Sequence, residues 1–104
     1  MASPLLAGVE MDINDWRDKI DEVDRELVAL LNRRAGWVLE IARLKKQMGL
    51  AIYEPLREEE IFRNIAAANG GPLDHGALRR VFERIIDEGR SIQRLLMDAG
   101  GTQK

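Results

Sequence analysis

From Trp16 to Met48 the chain holds no proline, and alternating steps of four and three residues pick out Trp16, Ile20, Val23, Leu27, Leu30, Arg34, Trp37, Ile41, Leu44 and Met48. Nine of these ten are apolar, the pattern of a heptad seam on one continuous helix. Asn14 or Asp15 is the candidate N-cap and Gly49 the candidate stop. Gly36 lies inside and costs about 1 kcal/mol relative to alanine, too little to interrupt so regular a pattern. Two shorter helices follow. One runs from about Pro55 to Asn69, ahead of Gly70-Gly71-Pro72, and one from about Asp74 or Gly76 to Ala99, ahead of Gly100-Gly101. The last repeats the alternation through Leu78, Phe82, Ile85, Gly89, Ile92 and Leu96, with Val81, Ile86 and Gln93 beside it. The single β-favouring run, Leu50 to Tyr53, is too short for a strand that matters. The expected fold class is all-α, with one long and two shorter helices per protomer.

Length turns this pattern into a statement about assembly. A helix from Trp16 to Met48 measures about 50 Å at 1.5 Å per residue, whereas a domain of this size has a radius of gyration near 13 Å. Two short helices cover such a rod only in part, so its seam is expected to bury against the same helix of a second protomer in an intertwined helical homodimer. Trp16 and Trp37, both on the seam, read as core rather than as a stacking platform for a ligand.

Composition narrows the chemistry. With 104 residues, 45% hydrophobic and 33% charged, the chain suits one soluble helical domain. It has no cysteine and a single histidine, His75, which removes disulfides, thiol nucleophiles and the usual nitrogen–sulfur metal sites. A formal net charge of -2 disfavours nucleic acid as the main ligand. Residues 1–11 lack a basic n-region and a long apolar run, so they read as a flexible leader to a cytoplasmic domain spanning residues 12–101, with no membrane segment.

Several charged residues depart from the pattern. Arg34 takes the one seam position where an apolar group is wanted, and an unpaired guanidinium buried there is strongly destabilising. Its partner could be a glutamate across the dimer, a register-setting contact, or an anionic ligand. Lys45 follows eleven residues later, nearly a whole number of turns and about 16 Å along the axis. Val38, Ile41 and Ala42 lie between, so the two cations bracket a slot walled by small and apolar residues, suited to a compact dianion. Alone, Lys45 reads equally as a solvated lysine near a helix end, and Arg17 as a partner of Asp21 or Asp24. The run Arg57-Glu58-Glu59-Glu60 suits a solvated first turn, and His75 has no assigned role. Arg17 and Lys45 are about 42 Å apart along one helix and can meet on one small ligand only between protomers.

Taken in order, these residues resemble the all-helical AroQ class of chorismate mutases. Trp16 to Arg34, beginning Trp-Arg-Asp-Lys-Ile-Asp-Glu-Val-Asp, is similar to the family's opening Leu-Arg-x-x-Ile-Asp-x-Ile-Asp. Ile41-Ala42-Arg43-Leu44-Lys45, Glu54-Pro55-Leu56-Arg57-Glu58 and the stretch from Phe82 to Gln93 are similar to three further family segments, the last being Phe-x-x-Ile-Ile-x-x-Ser-x-x-x-Gln. The likeness extends from about Asp12 to Leu96.

The resemblance implies rearrangement of chorismate to prephenate, a step of phenylalanine and tyrosine biosynthesis, without a cofactor or metal. In that pericyclic shift a carbon–oxygen bond breaks as a carbon–carbon bond forms, so no proton donor or nucleophile is needed. Rate enhancement comes from holding the enolpyruvyl group over the ring and from stabilising charge on the ether oxygen. By the family pattern Arg34 and Arg17 bind carboxylates, and Lys45 and Gln93 donate hydrogen bonds to the ether oxygen. Glu58 receives the ring hydroxyl, and Arg57 and Glu54 shape that end. Gly89 stands where the family usually has serine, so that substrate contact is lost or passes to water, and Glu54 stands where aspartate is frequent. The homodimer implied has two shared sites. An isochorismate-pyruvate lyase on the same fold, a mutase acting on 4-amino-4-deoxychorismate and a non-catalytic helical dimerisation module are the rival readings.

Overall fold

The computed structural model describes residues 10–102. Among them are three α-helices and no strand: α1 (Ile13–Met48), α2 (Pro55–Ala68) and α3 (His75–Thr102). The leader expected at residues 1–11 lies outside the described residues as far as Val9. The chain divides into two compact units, one reaching to Arg34 and the other beginning at Ala35.

In the first unit α1 begins earlier than the expected Trp16, because the cap is Asp12 and not Asn14 or Asp15. The Asp15 backbone N–H donates to Asp12 Oδ1 at 2.9 Å, and the Asp12 N–H donates to Asp15 Oδ2 at 3.0 Å. This reciprocal pair is a capping box in which aspartate replaces the usual glutamate. The Asp12 carbonyl accepts the first helical bond, from Trp16 N at 3.2 Å. Beyond the cap, Trp16, Ile20, Val23, Leu27 and Leu30 are all about half exposed, as are Val28 and Leu31. The heptad seam is present, and this unit's own residues leave it uncovered.

In the second unit the last turn of α1 closes in a Schellman motif. Leu50 N–H donates to Lys45 O at 2.8 Å and Gly49 N–H to Lys46 O at 3.4 Å. Gly49 takes the left-handed φ of +69° that this motif requires. Pro55 opens α2, and Asn69 ends it, its side chain accepting from Gly71 N–H and donating to Leu73 O. Asp74 caps α3, accepting from Ala77 N–H at 2.6 Å. α3 does not stop at Ala99 as expected but continues to Thr102. Glycine lowers helix propensity by about 1 kcal/mol without ending a helix unless the backbone turns left-handed.

Helices α2 and α3 pack together. The predicted face of α3 is the one turned inward: Leu78, Phe82, Ile85, Ile92 and Leu96 are half-buried and Gly89 is buried, while Val81 stays exposed. Among the described residues Ile86 and Ala42 are the buried apolar side chains, Ala42 fully so at 0% exposure. So small an apolar core contributes modestly. The other buried side chains are polar, Lys45 and Gln93.

Candidate active site

Lys45 reaches its place because the Schellman turn reverses the chain just beyond it. Ile52 to Glu54 then pass back over the end of α1, and α3 supplies Gln93. Only 6% of Lys45 is exposed, an expensive position for an ammonium group unless its donors are satisfied. They are: Nζ donates to Ile52 O at 2.9 Å and to Gln93 Oε1 at 3.5 Å, and forms an ion pair with Glu54 Oε1 at 2.6 Å. An ammonium has three N–H donors, so each has an acceptor. The solvated lysine that composition alone allows is therefore not what this residue is. Glu54 is the N-cap residue of α2 yet makes no side-chain capping bond; its carboxylate is engaged by Lys45 instead.

The orientation of Gln93 follows from its neighbour. Beside an ammonium the amide must turn its oxygen, not its NH₂, toward Lys45. Its two N–H donors are thereby directed away from Lys45 and toward whatever occupies the other side. Gly89, one turn earlier on α3, is buried and shares that face.

A second polar cluster joins α2 to α3. Glu58 and Arg90 form a hydrogen-bonded ion pair, both side chains little more than one-fifth exposed, and Arg90 also holds Asp87. The Arg90 guanidinium lies 5.7 Å from the centre of the Tyr53 ring. The hydrogen bond that Arg90 donates to Glu58 is the main cause that holds the Arg90 pKa above its ordinary value, against the opposing effect of burial. Glu58 and Arg90, with Phe62, Arg79, Glu83, Ile86 and Asp87, line a groove of about 400 Å³.

Of the site residues predicted from sequence, then, the second unit brings Lys45, Glu54 and Gln93 together and sets Glu58 beside Arg90. Arg57 is not drawn into either cluster: it pairs with Glu60 at 2.5 Å on an exposed surface. In the first unit Arg34 is half-buried. Arg17 is exposed and donates to Asn14 Oδ1 at 3.4 Å, not to Asp21 or Asp24. His75 begins α3, its Nδ1 3.2 Å from Asn69 Nδ2. Sequence reasoning missed Arg90. The signal was the row Ile86, Arg90, Gln93, whose steps of four and three place all three on one flank of α3. It also missed the Ile52 carbonyl, a backbone group that no residue type announces.

Residues 16–94 match the family described as chorismate mutase type II. The chain belongs to this family. Among solved structures it is similar to a chorismate mutase from Thermus thermophilus, with a TM-score of 0.77 at 35% identity over 79% of this chain and 93% of that one. A bifunctional chorismate mutase/prephenate dehydratase from Aquifex aeolicus is 33% identical over 87 residues, 80% of this chain but 24% of that protein. A chorismate mutase from Methanocaldococcus jannaschii is 26% identical over 79% of this chain and 84% of its own length. The chain thus spans about a quarter of the bifunctional relatives and most of the Methanocaldococcus jannaschii and Thermus thermophilus chorismate mutases. Among the described residues no helix is long and apolar enough to cross a membrane.

Proposed function

We propose that residues 12–101 form a chorismate mutase domain that rearranges chorismate to prephenate in phenylalanine and tyrosine biosynthesis, working as a homodimer with two shared sites. The observation that carries this reading is the buried Lys45 beside Gln93. Two neutral or cationic donors converge there without a nucleophile, which is what a pericyclic reaction with charge building on one oxygen can use.

In this reading the Lys45–Gln93 contact, at 3.5 Å the longest of the three around Nζ, is exchanged for contacts to substrate. Lys45 Nζ and the Gln93 NH₂ donate to the ether oxygen as the carbon–oxygen bond breaks and the carbon–carbon bond forms. Glu54 stays on Lys45 and keeps the ammonium aimed. Glu58 accepts from the ring hydroxyl, and Arg57 closes that end by swinging off its exposed pair with Glu60. Arg34 holds one carboxylate, and Arg17 of the partner subunit the other. Gly89 offers no hydroxyl, so a water takes the contact a serine would make. The exposed seam from Trp16 to Leu30 supports the dimer, since each large apolar side chain contributes about 1.5–3 kcal/mol when fully buried.

Names of relatives that couple a chorismate mutase to a prephenate dehydratase favour prephenate as the product over lyase chemistry. The test is the loss of chorismate absorbance on mixing with the protein, with isochorismate in a parallel assay. Consumption of chorismate with prephenate formed supports the reading. Unchanged chorismate, or pyruvate release from isochorismate alone, refutes it.

A further inference from the structure

The segment leaving α1 bends at Ile52 and is nearly extended at Glu54, where φ is -132° and ψ 84°. In extended backbone successive side chains point to opposite sides, so the Glu54 carboxylate and the Tyr53 ring face different partners. Ile52 and Glu54 supply the carbonyl and carboxylate that hold Lys45, while Tyr53 between them meets Arg90. Two cations therefore meet on the same segment and on α3. Lys45 ties α1 to this segment and to α3; Arg90 ties α3 to the segment's Tyr53 and to Glu58 on α2. Lys45 has an assigned task at the reacting oxygen, and Arg90 has none.

We infer that Arg90 is a positioning residue that holds the Glu58 carboxylate where the ring hydroxyl of the substrate must meet it. The inference rests on the mutase reading and on the place of Glu58 within it. Arg90 grips Glu58 through Oε2, so Oε1 is the oxygen offered to a hydroxyl. A guanidinium suits the task because its planar fork engages two carboxylates at once, here Glu58 through Nη1 and Asp87 through Nη2. Asp87, three residues earlier on α3, anchors the fork, and the Tyr53 ring flanks it. A glutamate on a first helical turn otherwise samples several rotamers, and a hydroxyl acceptor misplaced by about 1 Å can cost on the order of 100-fold in rate.

An ordinary interhelical ion pair would also join Glu58 to Arg90, so the test must read rate separately from stability. Arg90→Ala, Arg90→Lys, Glu58→Ala and the double variant Arg90→Ala with Glu58→Ala are assayed on chorismate, with melting curves alongside, well below the melting temperature. Arg90→Ala is expected to lower kcat roughly 10- to 100-fold, with a smaller change in KM. In the Glu58→Ala background the same substitution should cost less than about threefold, because the group it positions is gone. Arg90→Lys should recover part of kcat, keeping the charge but losing the fork. If Arg90→Ala fails to fold, Arg90→Lys against wild type, each with and without Glu58→Ala, carries the same comparison. Folded Arg90 variants at wild-type kcat, or equal losses in both backgrounds, would overturn the inference while leaving the mutase reading intact. A wild-type protein that does not consume chorismate would overturn that reading, and the role of Arg90 with it.

Discussion

Up to Arg34, α1 keeps its large apolar side chains outside, and its polar contacts include local ones: the Asp12–Asp15 box, Arg17 on Asn14, and Asn32 donating to the Val28 carbonyl. From Ala35 onward the seam stays outside, with Trp37, Ile41, Leu44 and Met48 each at least half exposed, but a buried polar cluster is added. There Lys45 and Gln93 are buried and bonded across elements far apart in sequence, while the apolar contribution to the interior is small. The first region has the means to associate and no core of its own; the second has an assembled polar centre. The exposed apolar seam runs the whole length of α1, whereas the buried polar centre is confined to its last turns, so Lys45 can be altered without touching the seam.

The largest effect should come from the seam. Leu27→Glu replaces a side chain that is half exposed in the single chain, so the isolated protomer should lose little. A carboxylate buried without a partner in an apolar seam is costly, and the protein is expected to sediment as a monomer with no measurable turnover. A dimeric and active Leu27→Glu protein would remove the seam from the account. Next comes Lys45→Ala, which should leave the dimer and the helical content in place while lowering kcat about 10²- to 10³-fold, the usual loss for one donor to a developing oxyanion. Circular dichroism and sedimentation check the first half of that statement and initial rates the second. The smallest effect is expected from Asp12→Ala. Losing one member of the capping box should destabilise the protein by about 1 kcal/mol, read as a lower denaturant midpoint at unchanged turnover.

Much of this was legible beforehand because it depends on periodicity. The seam of α1 and the inward face of α3 are repeated signals, and repetition survives the error of any single position. Ends are single positions. Asp12, Asn14 and Asp15 are all competent caps, and the reciprocal Asp12–Asp15 bonds, which decide among them, are a matter of backbone geometry. The Gly100-Gly101 pair looked like a stop, but a glycine stops a helix by conformation and not by composition. In the candidate site, Lys45 and Gln93 could be named from the resemblance, since both sit on helices whose faces were predicted. That Glu54 would serve Lys45, and that Glu58 would be held by Arg90, depends on how the short segment after Gly49 crosses the end of α1. Such a path has no period to read.

In the proposed dimer each site is built from two chains, and mixing two inactive variants puts this to the test. Arg17→Ala and Lys45→Ala should each be nearly inactive as homodimers, because each removes a cation from both sites. Unfolded and refolded together in equal amounts, they should pair at random to give about half heterodimers. In each heterodimer one site draws both wild-type residues and the other lacks both, so activity should return to about one quarter of the wild-type level. Heterodimers demonstrated by a tag on one chain, with no activity regained, would contradict shared sites and mean that Arg17 acts within its own protomer or not at all.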